Sequence, residues 1–201
     1  LPASSAASDV YKRQILKAVS RSFYLTLRLL PSEFRGPLSL GYLLARLSDT
    51  IADAGALELA RRKTLLSSFC SVMKSPGLTQ EAAELCAKLP KEMDGAGLSE
   101  GEMELVRRAG DCMGWLESME GSRAAAIRRV VGIITEGQSW DLERFQGEGI
   151  VALSDGEELE TYAYQVAGSV GEFWTEIGVI CDPEFSRYST EELRVLGANY
   201  G

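Results

Sequence analysis

Apolar positions recur every three or four residues along almost the whole chain, and the strict alternation that marks a half-buried strand is absent. The pattern predicts about eight helices. An apolar stretch from Ile15 to Leu30 is halted by Pro31, and Ser32 caps a short turn. A central helix follows, with Gly36 before it, Pro37 in its first turn, Asp53 near its end and Gly55 closing it. Leu57 to Ser75 carries Leu59, Leu65, Leu66, Phe69, Val72 and Met73 and stops at Pro76-Gly77. Thr79 caps a helix that runs to Leu89 and is ended by Pro90. Ser99 and Glu102 have capping-box spacing and lead a helix to about Met119. Gly121 or Ser122 opens the next, through Phe145. Asp155 precedes a long helix from Glu157 to Val179, Asp182-Pro183 breaks it, and Ser189 with Glu192 caps a last one from Thr190. No internal repeat and no long linker divides the chain, so the reading is all-α and one domain, with residues 1–14 as a disordered or non-native tail.

The central helix has two unlike faces. At about 100° per residue, Tyr42, Arg46, Asp49 and Asp53 fall within roughly 60° of one another, while Leu40, Leu44, Leu47 and Ile51 fall opposite. One face is built to pack. The other carries two carboxylates one turn apart, with a guanidinium and a phenol N-terminal to them. A solvated stripe stitched by an Arg46–Asp49 pair accounts for this pattern. So does a hard-cation site, because Mg²⁺ takes one or two carboxylates and completes its shell with waters and phosphate oxygens, and Arg46 can clamp the same phosphate.

Composition narrows the chemistry. The 201 residues suffice for one sizeable core, with 45% hydrophobic and 25% charged residues. A net charge of −8 argues against a general nucleic-acid surface. Histidine is absent, which removes His metal sites, Ser–His and Cys–His nucleophiles and the usual neutral-pH proton shuttle. Cys70, Cys86, Cys112 and Cys181 are unevenly spaced without a C-x-x-C and read as reduced, mostly buried thiols of a cytoplasmic protein. No apolar run approaches the ~20 residues of a membrane span, so the chain reads as soluble.

Two further stretches are unusual. Ser20-Arg21-Ser22-Phe23 places two hydroxyls and a guanidinium inside an apolar helix, either as an exposed patch or as donors for an anion. Tyr162-Ala163-Tyr164-Gln165-Val166-Ala167-Gly168-Ser169-Val170-Gly171 puts two glycines in a helix interior, where each costs about 1 kcal/mol against alanine. Close helix packing explains them, and so does a wall thinned for a long ligand.

Taken together, these stretches resemble the squalene/phytoene synthase family of head-to-head prenyl transferases, over roughly Val19 to the end. Three pieces in order carry the resemblance: Ser20-Arg21-Ser22-Phe23 with Tyr24 and Leu29-Leu30-Pro31; Tyr42 through Asp53; and the Tyr162–Gly171 segment. The resemblance implies an all-α isoprenoid synthase-type bundle. It implies Asp49 and Asp53 as Mg²⁺ ligands, and Ser20, Arg21, Ser22, Tyr42 and Arg46 around the diphosphate. It puts Phe23, Val166, Gly168 and Gly171 on the prenyl channel and Tyr162 beside the reacting carbons, with Asp141 a less secure match on the preceding helix. Tyr42 and Tyr162 are the candidate catalytic residues. The family's second aspartate-rich motif follows a Leu-Gly pair; here Leu196-Gly197 is present and the sequence stops at Gly201, so residues 15–201 are expected to be the N-terminal two-thirds of such a domain, inactive alone.

The implied substrate is a prenyl diphosphate, the implied cofactor Mg²⁺, with NADPH if the enzyme is of squalene type. Asp-Thr-Ile-Ala-Asp at 49–53 leans toward that type and farnesyl diphosphate over phytoene type and geranylgeranyl diphosphate. Product release implies contact with a membrane surface. A non-catalytic helical protein of the same descent, binding prenyl lipid or a partner subunit, is the alternative; a terpene synthase fits less well because those carry Asp-Asp-x-x-Asp.

Overall fold

Helix α3, Ser32–Ala52, runs through the middle of the molecule and buries Leu40, Leu44, Leu47 and Ile51 to 1% exposure or less. The apolar face read from the sequence is the face that packs. The computed structural model describes residues 14–20, 23–145 and 150–201, and among these no strand occurs. Residues 14–19 form the described part of α1, followed by α2 (Phe23–Leu29), α3, α4 (Leu59–Lys74), α5 (Gln80–Glu92), α6 (Glu100–Arg107) and α7 (Ala109–Glu117). Then come α8 (Gly121–Arg144), α9 (Gly156–Ala163), a π-helical turn (Tyr164–Gly168), α10 (Ser169–Cys181), a 3₁₀ turn (Pro183–Arg187) and α11 (Thr190–Tyr200). Helix α3 packs on α8; α4 lies against both, α10 closes against both as well, and α11 lies along α10.

Several expected boundaries move, each for a local reason. The helix expected over Ile15–Leu30 is broken at Ser20, and Val19's freed carbonyl accepts the Tyr42 hydroxyl at 3.1 Å. Gln14, assigned to the tail, is helical, and residues 1–13 lie outside the described residues. Pro37 does not start α3; it sits inside it, and the helix begins at Ser32. Pro37 has no N–H to give the Glu33 carbonyl one turn back. The Cys181 thiol stands 3.5 Å from that oxygen and supplies a donor from α10. Pro90 likewise does not stop α5, which continues to Glu92, because a proline in a last turn forfeits only one bond. The helix expected from Ser99 to Met119 is two, parted at Arg108, whose φ/ψ of −96°/9° leaves the helical basin. Gly55 does not close α3 in a left-handed turn; Asp53 is the cap, with Gly77, Gly95 and Gly97 the glycines of positive φ among the described residues. The caps at Thr79, Ser99, Asp155 and Ser189 form as read. Among the cysteines only Cys112 is buried; Cys70, Cys86 and Cys181 are half-buried, and all four are free. No described helix is long and apolar enough to cross a membrane.

One side chain ties the far end of the bundle. Arg128 on α8 donates to the carbonyls of Val72 at 3.0 Å, Ser75 at 2.8 Å and Gly77 at 3.3 Å, and pairs with Glu117. Val72 lies in the last turn of α4, where carbonyls lack helical partners, Ser75 caps that helix, and Gly77 follows it. Arg128→Ala is expected to cost about 3 kcal/mol, since it leaves carbonyls and a carboxylate without a partner in a site only 11% exposed on the arginine side. Urea unfolding of the variant checks this; a loss under ~1 kcal/mol would reduce the contact to a surface pair.

Candidate active site

The polar stripe of α3 opens onto a cleft of about 440 Å³ walled by three segments. From α3 come Tyr42, Ala45, Arg46, Asp49, Ala52 and Asp53; from α8, Ile134, Gln138, Asp141 and Leu142; from the third segment, Tyr162, Val166 and Val170. The volume lies in the range of small-ligand sites, about 300–1,000 Å³. The carboxylates Asp49, Asp53 and Asp141 share it with an apolar wall of Ile134, Leu142, Val166 and Val170.

Asp49 and Asp53 sit on the last turn and cap of α3, where the helix dipole presents its negative end. Carboxylates are disfavoured there and also repel each other. Burial and the Asp53 carboxylate push the Asp49 carboxyl above the usual aspartate range, against the pull of Arg46. Arg62 relieves part of the charge by donating to the Ala52 carbonyl at 2.8 Å. The residues therefore fit a divalent cation: two hard oxygen donors in a place that disfavours their charge, beside Arg46, whose Nε is buried without a partner. No three carboxylate or thiol groups among the described residues converge into a metal cage. Two carboxylates with waters and phosphate oxygens are the arrangement Mg²⁺ uses.

Arg46 is held from both sides, by the Asp49 carboxylate and by Glu102 Oε1 at 2.8 Å. Glu102 is the capping-box residue of α6; its second contact was not legible from the local motif. The Ser99 hydroxyl and amide, joined by Arg46, hold the Glu102 carboxyl below its usual range.

Tyr162 also lines the cleft and donates to Asp141 Oδ1 at 3.2 Å. Burial, then the Asp141 charge and hydrogen bond, push its phenol up, so it is neutral at physiological pH. Its ring lies 5.4 Å from that of Trp140. The π turn that starts at Tyr164 explains how one wall is kept: in an α-helix, positions 162, 166 and 170 would drift about 40° per step around the axis. The i→i+5 bonding of a π turn widens the helix and takes up that drift.

The other expected residues divide. Tyr42 lines the cleft, and its hydroxyl donates to the Val19 carbonyl at 3.1 Å. Phe23 stands behind it, stacked at 4.8 Å and edge-on to Trp174 at 6.2 Å, and is not part of the cleft lining. Ser20 is buried with its hydroxyl unpartnered, also outside the lining, and Arg21 and Ser22 lie outside the described residues. Val166 lines the cleft. Gly168 and Gly171 do not: a Cβ at Gly168 would stand 3.0 Å from the Ala198 carbonyl oxygen, and one at Gly171 would stand 1.9 Å from that of Gly197. Both glycines let α11 approach, which is the packing reading of that segment. Gln138, Ile134 and Leu142 were missed, although with Asp141 they recur at i, i+4, i+7 and i+8 on α8, a spacing visible in the sequence.

Known proteins share this fold. Residues 16–192 match the squalene/phytoene synthase family profile. A probable squalene synthase of Neurospora crassa is 28% identical over 164 residues, which is 82% of this chain and 31% of that protein. Two solved structures of TcSQS superpose well. The complex with the ligand BPH1237 gives a TM-score of 0.69 at 19% identity, over 96% of this chain and 51% of that one. The complex with E5700 gives 0.66 at 21% identity, over 94% and 50%. These structures share the all-α isoprenoid synthase fold, and the chain spans a third to a half of the length of the relatives it matches. By the profile match over most of its residues, the chain belongs to the squalene/phytoene synthase family.

Proposed function

We propose that these residues are the N-terminal part of an enzyme that joins two prenyl diphosphates head to head, and that farnesyl diphosphate is the substrate. The observation that carries the reading is a single cleft lined by a carboxylate pair and a guanidinium, an apolar wall and the Tyr162–Asp141 pair. Such a cleft suits a substrate with an anionic head and a hydrocarbon tail.

In this reading Asp49 and Asp53 would hold Mg²⁺, which would supply charge neutralisation for the diphosphate leaving group. Arg46 supplies N–H donors to the same oxygens. Ile134, Leu142, Val166 and Val170 keep water from the allylic cation, whose lifetime depends on a dry site. Tyr162 presents a neutral phenol, fixed by Asp141, beside that cation. The squalene type adds a reduction by NADPH, and its product leaves toward a membrane surface.

The test is product mass from the full-length protein given 15- and 20-carbon diphosphates with Mg²⁺, with and without NADPH. A 30-carbon hydrocarbon that requires NADPH supports the squalene type. A 40-carbon product from the 20-carbon diphosphate reassigns the enzyme to the phytoene type, and no condensation with either substrate overturns the reading. In the same protein, Tyr162→Phe is expected to slow single-turnover chemistry by about 10²-fold while substrate binding changes little, because the ring stays and only the positioned hydroxyl is lost. Unchanged single-turnover rates would make Tyr162 a packing residue.

A further inference from the structure

Glu102 does not line the cleft, yet its side chain is committed at both oxygens. Oε2 accepts from the Ser99 amide at 2.9 Å and the Ser99 hydroxyl at 2.7 Å; Oε1 accepts from Arg46 Nη2 at 2.8 Å. The capping box thus fixes one end of the carboxylate against the backbone of α6 and aims the other at α3. Arg46 also gives Nη1 to Asp49 and keeps a buried Nε with no partner.

We propose that Glu102 is a positioning residue that holds Arg46 in the cleft, so that Asp49 is released to the metal and the remaining guanidinium donors to the diphosphate. The inference rests on reading the cleft as a magnesium–diphosphate site. Without Glu102, Asp49 is the one carboxylate left to Arg46, and the contact the two already share has no competitor. The pair then withdraws one metal ligand and one phosphate donor together. With Glu102, the guanidinium stays anchored through Nη2 when Asp49 turns to the metal, and Nη1 is freed for the incoming oxygens. Glu102 also brings a negative charge near the phosphate. Its three hydrogen bonds spread that charge over other donors, and screening weakens what remains, so the loss of orientation outweighs the relief of repulsion.

The experiment is a calorimetric titration of the full-length protein with inorganic pyrophosphate in the presence of Mg²⁺. Wild type is expected to bind only with Mg²⁺, and Asp49→Asn to lose that binding. Glu102→Gln is expected to weaken binding about tenfold, the effect of one charge-assisted contact. In an Arg46→Ala background the same Glu102→Gln change is expected to do nothing further, within about twofold, since Glu102 acts through Arg46. Arg128→Ala, destabilised at the far end of the bundle, controls for stability and should leave affinity unchanged. Glu102→Gln with wild-type or tighter affinity overturns the inference, as do losses that add in the Arg46→Ala background. Absence of magnesium-dependent binding by wild type overturns the cleft reading, and the inference with it.

Discussion

Asp49→Asn or Asp53→Asn in the full-length enzyme is expected to lower turnover by about 10²-fold or more, at least ~2.7 kcal/mol of barrier, without loss of fold stability in the absence of Mg²⁺. The two halves of the expectation have one cause. The carboxylates stand at the negative end of α3, and Asp49 is pushed upward by burial and by Asp53. A carboxyl whose folded pKa exceeds its unfolded value binds more protons when folded. Stability therefore falls as pH rises from the ordinary 3.8 through the higher folded value, and at neutral pH the ionised group weighs against the fold. The Asp49→Asn change removes that charge at the loss of one ion pair with Arg46, itself of modest worth at 31% and 38% side-chain exposure. The metal-free variant should melt at or a few degrees above wild type. Steady-state rates at saturating Mg²⁺ and thermal melts in chelator are the measurements. Near-wild-type turnover in both variants, or melting far below wild type, would sink the metal assignment.

Gly171→Ala is expected to separate α11 from α10 while leaving the cleft intact. A Cβ there would sit 1.9 Å from the Gly197 carbonyl oxygen, and Gly197 in turn would place its own Cβ 2.3 Å from Thr175 Oγ1. The first clash is with backbone, so no side-chain rotation relieves it and the helix as a whole has to move. Overpacking of this kind costs about 1–3 kcal/mol and more where backbone is struck. Limited proteolysis should cut the variant in the 182–189 connection far faster than wild type, with pyrophosphate affinity retained. Wild-type protection would remove the close-approach explanation. Lost affinity with intact protection would return Gly171 to the ligand channel.

The helical class, the packing face of α3 and the caps at Thr79, Ser99, Asp155 and Ser189 were legible because they depend on neighbours within a turn or two. Pro37 and Pro90 misled for a complementary reason. A proline marks a missing donor, and whether a helix survives depends on what else reaches the abandoned carbonyl, here a thiol far along the chain at Cys181. Tyr42, Arg46, Asp49 and Asp53 could be grouped from their spacing, but the hydroxyl of Tyr42 is taken by Val19 and Arg46 is shared with Glu102; both partners belong to other helices. Gly168 and Gly171 carried two readings, and only the position of α11 chooses between them. The π turn has no local sequence mark that separates it from α-helix, yet it is what keeps Tyr162, Val166 and Val170 on one wall.

The cleft's walls also differ in how far apart their residues lie along the chain. Tyr162 and Asp141 are 21 positions apart, whereas Arg46 and Glu102 are separated by 56. Each doubling of a closed loop adds only about 0.6 kcal/mol of entropy cost, but contacts of long separation form late on the way to the native state. The Asp141–Tyr162 corner can assemble from neighbouring helices, while the carboxylate end needs α3 seated between α6 and α8. Recovery of magnesium-dependent pyrophosphate binding during refolding should therefore lag the return of helical circular dichroism. On the proposed reading, magnesium-dependent pyrophosphate binding is a clock for the completion of the tertiary structure.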